Sequence, residues 1–314
     1  MSEPSPKTPV ALLTGFLGSG KTTLLSRLLA HPGMGETAVI VNELGEVAID
    51  HHLLRRVDER TVLLKSGCVC CSLRGDLADE LRDLLGRRER GEIPAFRRVV
   101  VETTGLADPA PILYTLLSEP VVKHHFRVER VIATVDAVNG LPEPESVRQV
   151  AAADTLVVTK TDLDEATEVR SALEQLNPTA TVFEVSFGDV EPGVLFGPAG
   201  AGLRPVPMGD GAEHSEVRAC SIFLDAELDW GAFGIWLTML LQSRGNDILR
   251  VKGLLNVGGP GPVLVNGVQH VVHPPEHLEA WPDDDLRSRI VFIGRGFTPD
   301  ELSASLLAFN AAAG

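Results

Sequence analysis

The sequence predicts an α/β fold with a mostly parallel sheet, followed by a smaller α+β domain. From Pro9 to about Ser186, short runs rich in Val and Ile alternate with helical patterns, which is the sequence form of repeated βαβ units. Between Gly188 and Ser215 the chain is dense in Gly and Pro and shows no periodicity, as in a linker. Beyond that stretch, alternating apolar runs predict the strands of a second sheet together with two helices.

Six apolar runs predict the strands of the first sheet. Several of them are apolar on consecutive residues, which is typical of parallel strands that are buried on both faces. Helices are expected to cover those faces, because parallel strands need crossover connections. The predicted strands are 10–14, 38–42, 99–103, 128–135, 155–159 and 181–185.

The domain boundaries follow from the same patterns. We expect a first domain at 1–187, a linker at 188–215 and a second domain at 216–314. The last helix has Thr298 and Pro299 at its start, which supply an N-cap residue and a proline at the first helical position. In the second domain the predicted strands are 217–224, 248–257, 263–271 and 287–293, and the predicted helices are 230–241 and 297–309.

Composition and charge exclude several classes of protein. Of 314 residues, 44% are hydrophobic, which is enough apolar material for a buried core. The formal charge of −15 disfavours binding to nucleic acid or to an anionic membrane. Neither an export signal nor a run of 18 apolar residues is visible, so we expect a cytoplasmic protein. The four cysteines, three of them clustered, do not suit a secreted disulfide framework.

The segment after the first predicted strand has the pattern of a phosphate-binding loop. GFLGSGKT at 15–22 matches G-x-x-x-x-G-K-[ST] and precedes a helical pattern. Glycines let backbone N–H groups converge on phosphate oxygens, and the helix N-terminus adds the positive end of its dipole. We expect Lys21 to reach the β and γ phosphates and the Thr22 hydroxyl to bind Mg²⁺. The predicted nucleotide-binding residues of this loop are Gly15, Gly18, Ser19, Gly20, Lys21, Thr22 and Thr23.

The third predicted strand ends in residues suited to the same site. A P-loop enzyme needs an acidic residue at the end of a neighbouring strand and a backbone group that contacts the γ-phosphate. Glu102 and Gly105 follow an apolar run and are predicted to fill these two roles. Lys21, Glu102 and Gly105 are therefore the predicted catalytic residues. Glu43, after the second predicted strand, is a further candidate for the Mg²⁺ site.

The loop after the fifth predicted strand predicts guanine recognition. GTPases usually read guanine with Asn-Lys-x-Asp, and the segment at 159–162 is TKTD. Lys160 and Asp162 are in register with that pattern, so that Asp162 would accept hydrogen bonds from the N1 and N2 groups of the base. Thr159 stands in place of the Asn, and its hydroxyl must do the work of a carboxamide.

Three cysteines lie between the second predicted strand and Glu102. As thiolates, Cys68, Cys70 and Cys71 can converge on one soft ion such as Zn²⁺. Three ligands leave one tetrahedral position open, which suits catalysis or hand-over of the metal; water, Glu46, a His or a partner's thiolate could fill it. Two other interpretations are open. The thiols could be small buried apolar groups, or Cys70 and Cys71 could be a redox pair.

The segments GFLGSGKTT, VNELGEVAID, GCVCCS, VVVETTGLADPAP and TKTD together resemble the CobW/YjiA family of P-loop GTPases. ILRVKGLL and RIVFIGRG resemble that family's C-terminal domain, so the likeness covers nearly the whole chain. The resemblance implies a P-loop NTPase domain followed by a CobW-like domain, with slow hydrolysis of GTP to GDP. It also implies that a transition metal binds at C-x-C-C and is delivered to a client metalloprotein. The residues to which it assigns these roles are Gly20, Lys21, Thr22, Cys68, Cys70, Cys71, Glu102, Gly105, Lys160 and Asp162.

The chain departs from the family pattern in two places. Thr159 replaces the usual Asn, and the linker offers only His214 where many members have a long His-rich stretch. Three thiolates bind zinc, cobalt, iron or nickel, so the sequence does not select the metal. It also selects neither the client nor an oligomeric state.

Three functions compete on these observations. The leading hypothesis is a GTP-dependent metallochaperone that uses GTP, Mg²⁺ and a transition metal, most simply Zn²⁺. In the first alternative, metal regulates the GTPase as a sensor and no client receives it. The second alternative is a P-loop kinase of small molecules, which predicts preference for ATP and is disfavoured by Asp162.

Overall fold

The structure, a computed structural model, describes residues 6–41, 62–65, 73–196 and 216–313. These residues form two compact units, each with its own β-sheet. In the first sheet every neighbouring pair of strands is parallel, and in the second every pair is antiparallel. The prediction of a P-loop-type α/β fold followed by a smaller α+β domain is confirmed.

The first sheet has seven strands within the described residues. They are β1 (Thr8–Gly15), β2 (Thr37–Val41), β3 (Val62–Lys65), β4 (Arg98–Glu102), β5 (Phe126–Asp136), β6 (Thr155–Thr159) and β7 (Thr181–Glu184). Their order across the sheet is β3-β2-β4-β1-β5-β6-β7, which places β1 at the centre. Residues 10–13 of β1 are at most 2% exposed, as expected for a central strand with both faces covered.

Six of these strands agree with the predicted runs to within two residues, and β3 was not predicted. Strand β3 has only four residues and lies at the edge of the sheet. Four residues are too few to display a period, so an edge strand of this length leaves little signal in the sequence.

Seven described α-helices precede the second sheet. They are α1 (Lys21–Leu29), α2 (Leu73–Glu89), α3 (Pro109–Ser118), α4 (Pro120–His125), α5 (Pro144–Ala152), α6 (Thr167–Leu176) and α7 (Pro192–Leu195). Leu24, Leu25 and Leu28 on one face of α1 share a core cluster with Ala11 and Leu13 of β1. This packing fixes the helix that begins directly after the phosphate-binding loop. No helix in the described part of the chain is long and apolar enough to cross a bilayer.

Helix α7 lies inside the stretch that composition predicts to be a linker. Leu195 is fully buried and Phe196 is 5% exposed, and both belong to the core cluster of α1 and β1. The guanidinium of Arg98 lies 4.6 Å from the centre of the Phe196 ring. A few apolar side chains are therefore enough to pack a segment whose Gly and Pro content suggests a linker. Residues 197–215 lie outside the described residues.

The second sheet combines antiparallel strands with two helices. The described strands are β8 (Arg218–Leu224), β9 (Ile248–Leu255), β10 (Val263–Val268), β11 (Val271–Val272), β12 (Glu276–His277) and β13 (Ser288–Gly294), and the helices are α8 (Trp230–Arg244) and α9 (Pro299–Ala313). Their order is β11-β10-β9-β13-β8, and β12 pairs with β10. Phe233 and Trp236 of α8 pack with Ile290 and Phe292 of β13 in the core.

Two local predictions for this unit have opposite outcomes. The start predicted for the last helix is confirmed, because Thr298 Oγ1 accepts from the Glu301 N–H at 3.2 Å and Glu301 Oε2 accepts from the Thr298 N–H at 3.0 Å. The single strand predicted at 263–271 is wrong. The chain turns back after β10, and Gln269 there has a positive φ of 50°, so that β10 and β11 form a hairpin.

Candidate functional site

The carboxyl ends of the parallel strands lie at one edge of the first sheet, which we call the carboxyl edge. Ligands of open parallel sheets bind at this edge. The phosphate-binding loop follows β1, while Glu102 ends β4, Asp136 ends β5 and Thr159 ends β6. Since β4, β1, β5 and β6 are neighbours in the sheet, the residues predicted for phosphate, metal and base lie side by side.

Glycines shape the phosphate-binding loop. Gly15, Gly18 and Gly20 have φ of 140°, 74° and 87°, which residues other than glycine rarely adopt. A Cβ on Gly15 would lie 2.3 Å from Thr134 Oγ1. Ser19 is also fixed, because its N–H donates to the Phe16 carbonyl at 3.1 Å and its Oγ shares a 2.6 Å hydrogen bond with Thr134 Oγ1. Hydrogen bonds within the loop and to β5 therefore fix its conformation.

Gly15→Ala is expected to lower the free energy of unfolding by about 2–5 kcal/mol, because left-handed strain adds to a clash with the β5 backbone. Gly18→Ala is the matched control, since its Cβ would meet nothing within 4 Å, and it should cost about 1 kcal/mol. Urea unfolding of the two variants measures the difference. Equal losses would contradict the packing of Gly15 against β5.

Lys21 begins α1 and folds back against the loop. Its Nζ donates to the carbonyls of Gly15 at 2.9 Å and Phe16 at 3.0 Å, and the residue is 8% exposed. The ammonium group is thereby held next to the N-terminus of α1. A cation and a helix N-terminus together favour a phosphate group at this point.

Thr22 and Glu102 meet at the end of β4. Thr22 Oγ1 donates to Glu102 Oε1 at 2.7 Å, and Glu102 is 3% exposed. Carboxylate, hydroxyl and phosphate oxygens are the hard ligands that Mg²⁺ takes in nucleotide sites. The two side chains project from a helix and a strand that the core holds fixed. Their oxygen atoms therefore suit Mg²⁺ as ligands.

The turn after Glu102 lies against the phosphate-binding loop. The Ala107 N–H donates to the Thr104 carbonyl at 3.1 Å and closes a turn at 104–107. A Cβ on Gly105 would lie 2.6 Å from the backbone nitrogen of Leu17, so only a glycine allows this approach. A cavity of about 490 Å³ opens between the loop and the turn. Its lining residues are Leu17, Gly18, Gly20, Lys21, Thr22, Thr23, Val41, Glu102, Thr103, Thr104, Gly105 and Leu106.

The loop after β6 is tied to the phosphate-binding loop. Thr159 Oγ1 donates to the Ser19 carbonyl at 2.8 Å, so its hydroxyl joins the predicted base-reading and phosphate-binding segments. Lys160 has a positive φ of 58°, and its ammonium group pairs with Asp136. Asp162 is exposed beside this loop. An exposed carboxylate at the carboxyl edge is free to accept hydrogen bonds from a base.

Asp136 is a site residue that the sequence patterns did not reveal. Besides Lys160, it accepts from Asn139 Nδ2 and from the Val138 N–H, each at 2.8 Å. Burial opposes its ionisation, but the hydrogen bonds from Lys160 and Asn139 outweigh it and hold the pKa of Asp136 below its usual value. The ionised carboxylate orients Lys160. A polar residue directly after the predicted strand 128–135 is the signal that could have pointed to it.

Five candidate metal ligands lie outside the described residues: Glu43, Glu46, Cys68, Cys70 and Cys71. The chain enters their segments from Val41 of β2 and Lys65 of β3, both at the carboxyl edge. Within the described residues, no group of three His, Cys, Asp or Glu side chains could hold a metal ion. Burial raises the pKa of the Cys220 thiol to about 12, as expected of an inert cysteine in the second sheet.

Two family models together match most of the chain. The CobW/HypB/UreG nucleotide-binding domain matches residues 9–184. The cobalamin synthesis protein CobW C-terminal domain matches residues 217–310. The first match contains the phosphate-binding loop, Glu102 and the TKTD segment, and the second contains the whole antiparallel sheet.

Individual proteins similar to this chain belong to the same family. The zinc chaperone YjiA of Escherichia coli is 35% identical over 309 residues, covering 94% of this chain and 96% of YjiA. The zinc-regulated GTPase metalloprotein activator 1 of Schizosaccharomyces pombe is 30% identical over 197 residues, covering 58% of this chain and 47% of that protein. The crystal structure of the Zn(II)-bound YjiA GTPase from E. coli matches with a TM-score of 0.74 at 31% identity, covering 97% of this chain and 99% of that one. The chain therefore belongs to the CobW/HypB/UreG family.

Proposed function

We propose that this GTPase binds zinc through Cys68, Cys70 and Cys71 and delivers it to a client metalloprotein under control of the bound nucleotide. The observation that carries the proposal is the shared carboxyl edge. Strand β3, which leads into the cysteine segment, ends at the same edge of the sheet as the strand that leads into the phosphate-binding loop. A change at the γ-phosphate can therefore act on the segments that leave this edge.

The phosphate-binding half of the proposal rests on three side chains. Lys21 places a cation against the loop, where it neutralises the β and γ phosphates. Thr22 and Glu102 would hold Mg²⁺, with Glu43 as a further ligand. Mg²⁺ supplies charge neutralisation on the phosphate oxygens when it is bound. The Gly105 N–H is assigned to the γ-phosphate, since the turn at 104–107 lines the same cavity.

The base-reading half rests on the loop after β6. We assign Asp162 to the N1 and N2 groups of guanine and Lys160, whose ammonium group pairs with Asp136, to the same base-reading loop. We do not assign the Thr159 hydroxyl to the base, because it donates to the Ser19 carbonyl of the phosphate-binding loop. This gives the departure from Asn-Lys-x-Asp a physical account, since a hydroxyl suffices to donate one hydrogen bond to that carbonyl.

Turnover is expected to be slow without a partner. Efficient GTPases use an arginine to stabilise charge and often a glutamine to orient the attacking water. The described residues that line the 490 Å³ cavity include neither an arginine nor a glutamine. A client that completes the site would accelerate hydrolysis and couple it to metal release.

Zinc has the role of cargo in this proposal. Three thiolates provide a soft site with one position open, which water, Glu46, a His or the client's own thiolate could fill. Two relatives support zinc by their names, the zinc chaperone YjiA and the zinc-regulated activator of S. pombe. An open position allows a client ligand to bind before the chaperone's ligands leave.

Zinc affinity is expected to differ at least tenfold between the two nucleotide states, which corresponds to about 1.4 kcal/mol of coupling. The measurement is competition with a chelator, in Mg²⁺ with a non-hydrolysable GTP analogue and again in Mg²⁺ with GDP. The Cys70→Ser, Cys71→Ser double variant is the control and should lose both the affinity and the ratio. Equal zinc affinities in the two states would contradict nucleotide-controlled delivery.

A further inference from the structure

The side chain of Gln149 in α5 forms hydrogen bonds with the turn that follows Glu102. Its Nε2 donates to the carbonyl of Gly105 at 3.0 Å and to the carbonyl of Ala107 at 3.0 Å. The residue is 1% exposed, so these hydrogen bonds are shielded from bulk solvent. One amide group therefore fixes two carbonyls of the turn at 104–107.

The neighbouring residue of α5 holds the next part of the same segment. Arg148 Nε lies 3.6 Å from Asp108 Oδ2, and Asp108 caps α3 by accepting from the Ala110 N–H at 3.0 Å. Consecutive residues of α5 thus anchor the chain from Gly105 to the start of α3. Because Leu17 of the phosphate-binding loop also contacts Gly105, the turn has supports from two separate elements.

The amide oxygen of Gln149 indicates the role of this side chain. Its Oε1 is buried and has no hydrogen-bond partner among the described residues. A buried polar atom without a partner is destabilising, whereas an apolar side chain of similar volume would fill the space without that cost. Packing alone therefore does not favour glutamine at this position. The contribution that distinguishes glutamine is the pair of hydrogen bonds to the turn.

We propose that Gln149 is a positioning residue for recognition of the γ-phosphate. By fixing the Gly105 and Ala107 carbonyls, it holds the turn where the Gly105 N–H can donate to the terminal phosphate of GTP. The inference rests on the proposed use of this site for GTP and deepens it, because it names the residue that makes the turn sensitive to the nucleotide state. GDP lacks the γ-phosphate, so its affinity does not depend on the placement of this turn.

The test compares Gln149→Met with Val150→Ala. Gln149→Met keeps the volume and removes both donors, while Val150→Ala loosens the packing of the same helix at a residue that is also 1% exposed. Dissociation constants are measured in Mg²⁺ for GDP and for a non-hydrolysable GTP analogue. We expect Gln149→Met to weaken the analogue about tenfold and GDP less than twofold. Val150→Ala should leave the ratio of the two constants unchanged.

A second substitution at the same position tests the two hydrogen bonds with little change in the shape of the side chain. Gln149→Glu keeps the shape but places a carboxylate against two carbonyl oxygens, so it should weaken the analogue further while GDP binding persists. Thermal unfolding of all three variants without nucleotide checks that each is folded before its affinities are compared.

The outcomes separate the positioning role of Gln149 from the proposed GTPase site. If the wild-type chain discriminates the analogue from GDP and Gln149→Met keeps that ratio, the positioning role is wrong and the GTPase site stands. Equal weakening of both ligands by Gln149→Met would likewise reduce Gln149 to a structural role. Failure of the wild-type chain to bind either guanine nucleotide would overturn the proposed use of the site and this inference with it.

Discussion

Lys21→Met is expected to weaken binding of both GTP and GDP by about 100- to 1,000-fold and to abolish measurable hydrolysis. The ammonium group is nearly buried against the phosphate-binding loop, where the loss of a charged donor costs more than at the surface. Methionine keeps the length of the side chain, so the change removes charge and donors with little loss of packing. Isothermal titration calorimetry with each nucleotide gives the affinities, and phosphate release gives the rate.

Lys123→Met is the matched control for charge, because Lys123 lies exposed on α4. It should leave both affinities within twofold of the wild-type values. Since Lys21 also donates to two loop carbonyls, urea unfolding without nucleotide separates a loss of stability from a loss of binding. A Lys21→Met protein that still bound GTP tightly would remove the phosphate-binding role from this loop.

Asp162→Ala is expected to lower the affinity for GTP at least about 100-fold while leaving the affinity for ATP unchanged. The carboxylate is assigned two hydrogen bonds from guanine, and each hydrogen bond to a charged group is worth about 1.5–3 kcal/mol. Adenine offers no matching pair of donors, so ATP loses nothing. Competition between GTP and ATP for a fluorescent guanine nucleotide measures the change in preference.

Asp164→Ala provides the control, because Asp164 is an exposed carboxylate two residues further along the same loop. It changes the net charge equally and should preserve guanine preference. If Asp162→Ala retained the wild-type preference for GTP, the base would have to be read by other residues, and the assignment of the TKTD segment would be withdrawn.

The central part of the fold could be predicted because its signals are local. Strands β1 and β4 are buried on both faces and read as continuous apolar runs, and the phosphate-binding loop has glycines, a lysine and a helix in fixed order. The rule that ligands bind at the carboxyl edge then brings Glu102, Gly105 and the TKTD segment to the loop. The structure places all of these at that edge.

The parts that were missed depend on contacts between distant residues. Gln149 lies on an ordinary helix, and only the folded chain brings its amide to Gly105, 44 residues earlier. The turn at Gln269 depends on a positive φ at a residue that carries no glycine signal. The burial of Leu195 and Phe196 likewise depends on a core assembled from the first strands of the chain. Periodicity within a short window contains none of this information.

The supports of the phosphate-binding loop also set the order in which the molecule can mature during synthesis. Ser19 is held by Thr134, which is 115 residues later, and by Thr159, which is 140 residues later. Contacts of such long range form late, because much of the chain must be ordered before they close. A nascent chain emerging from the ribosome therefore presents the loop long before the strands that brace it. We therefore expect the loop to become competent for GTP only after β6 has emerged, with the strands made first folding without help from the nucleotide.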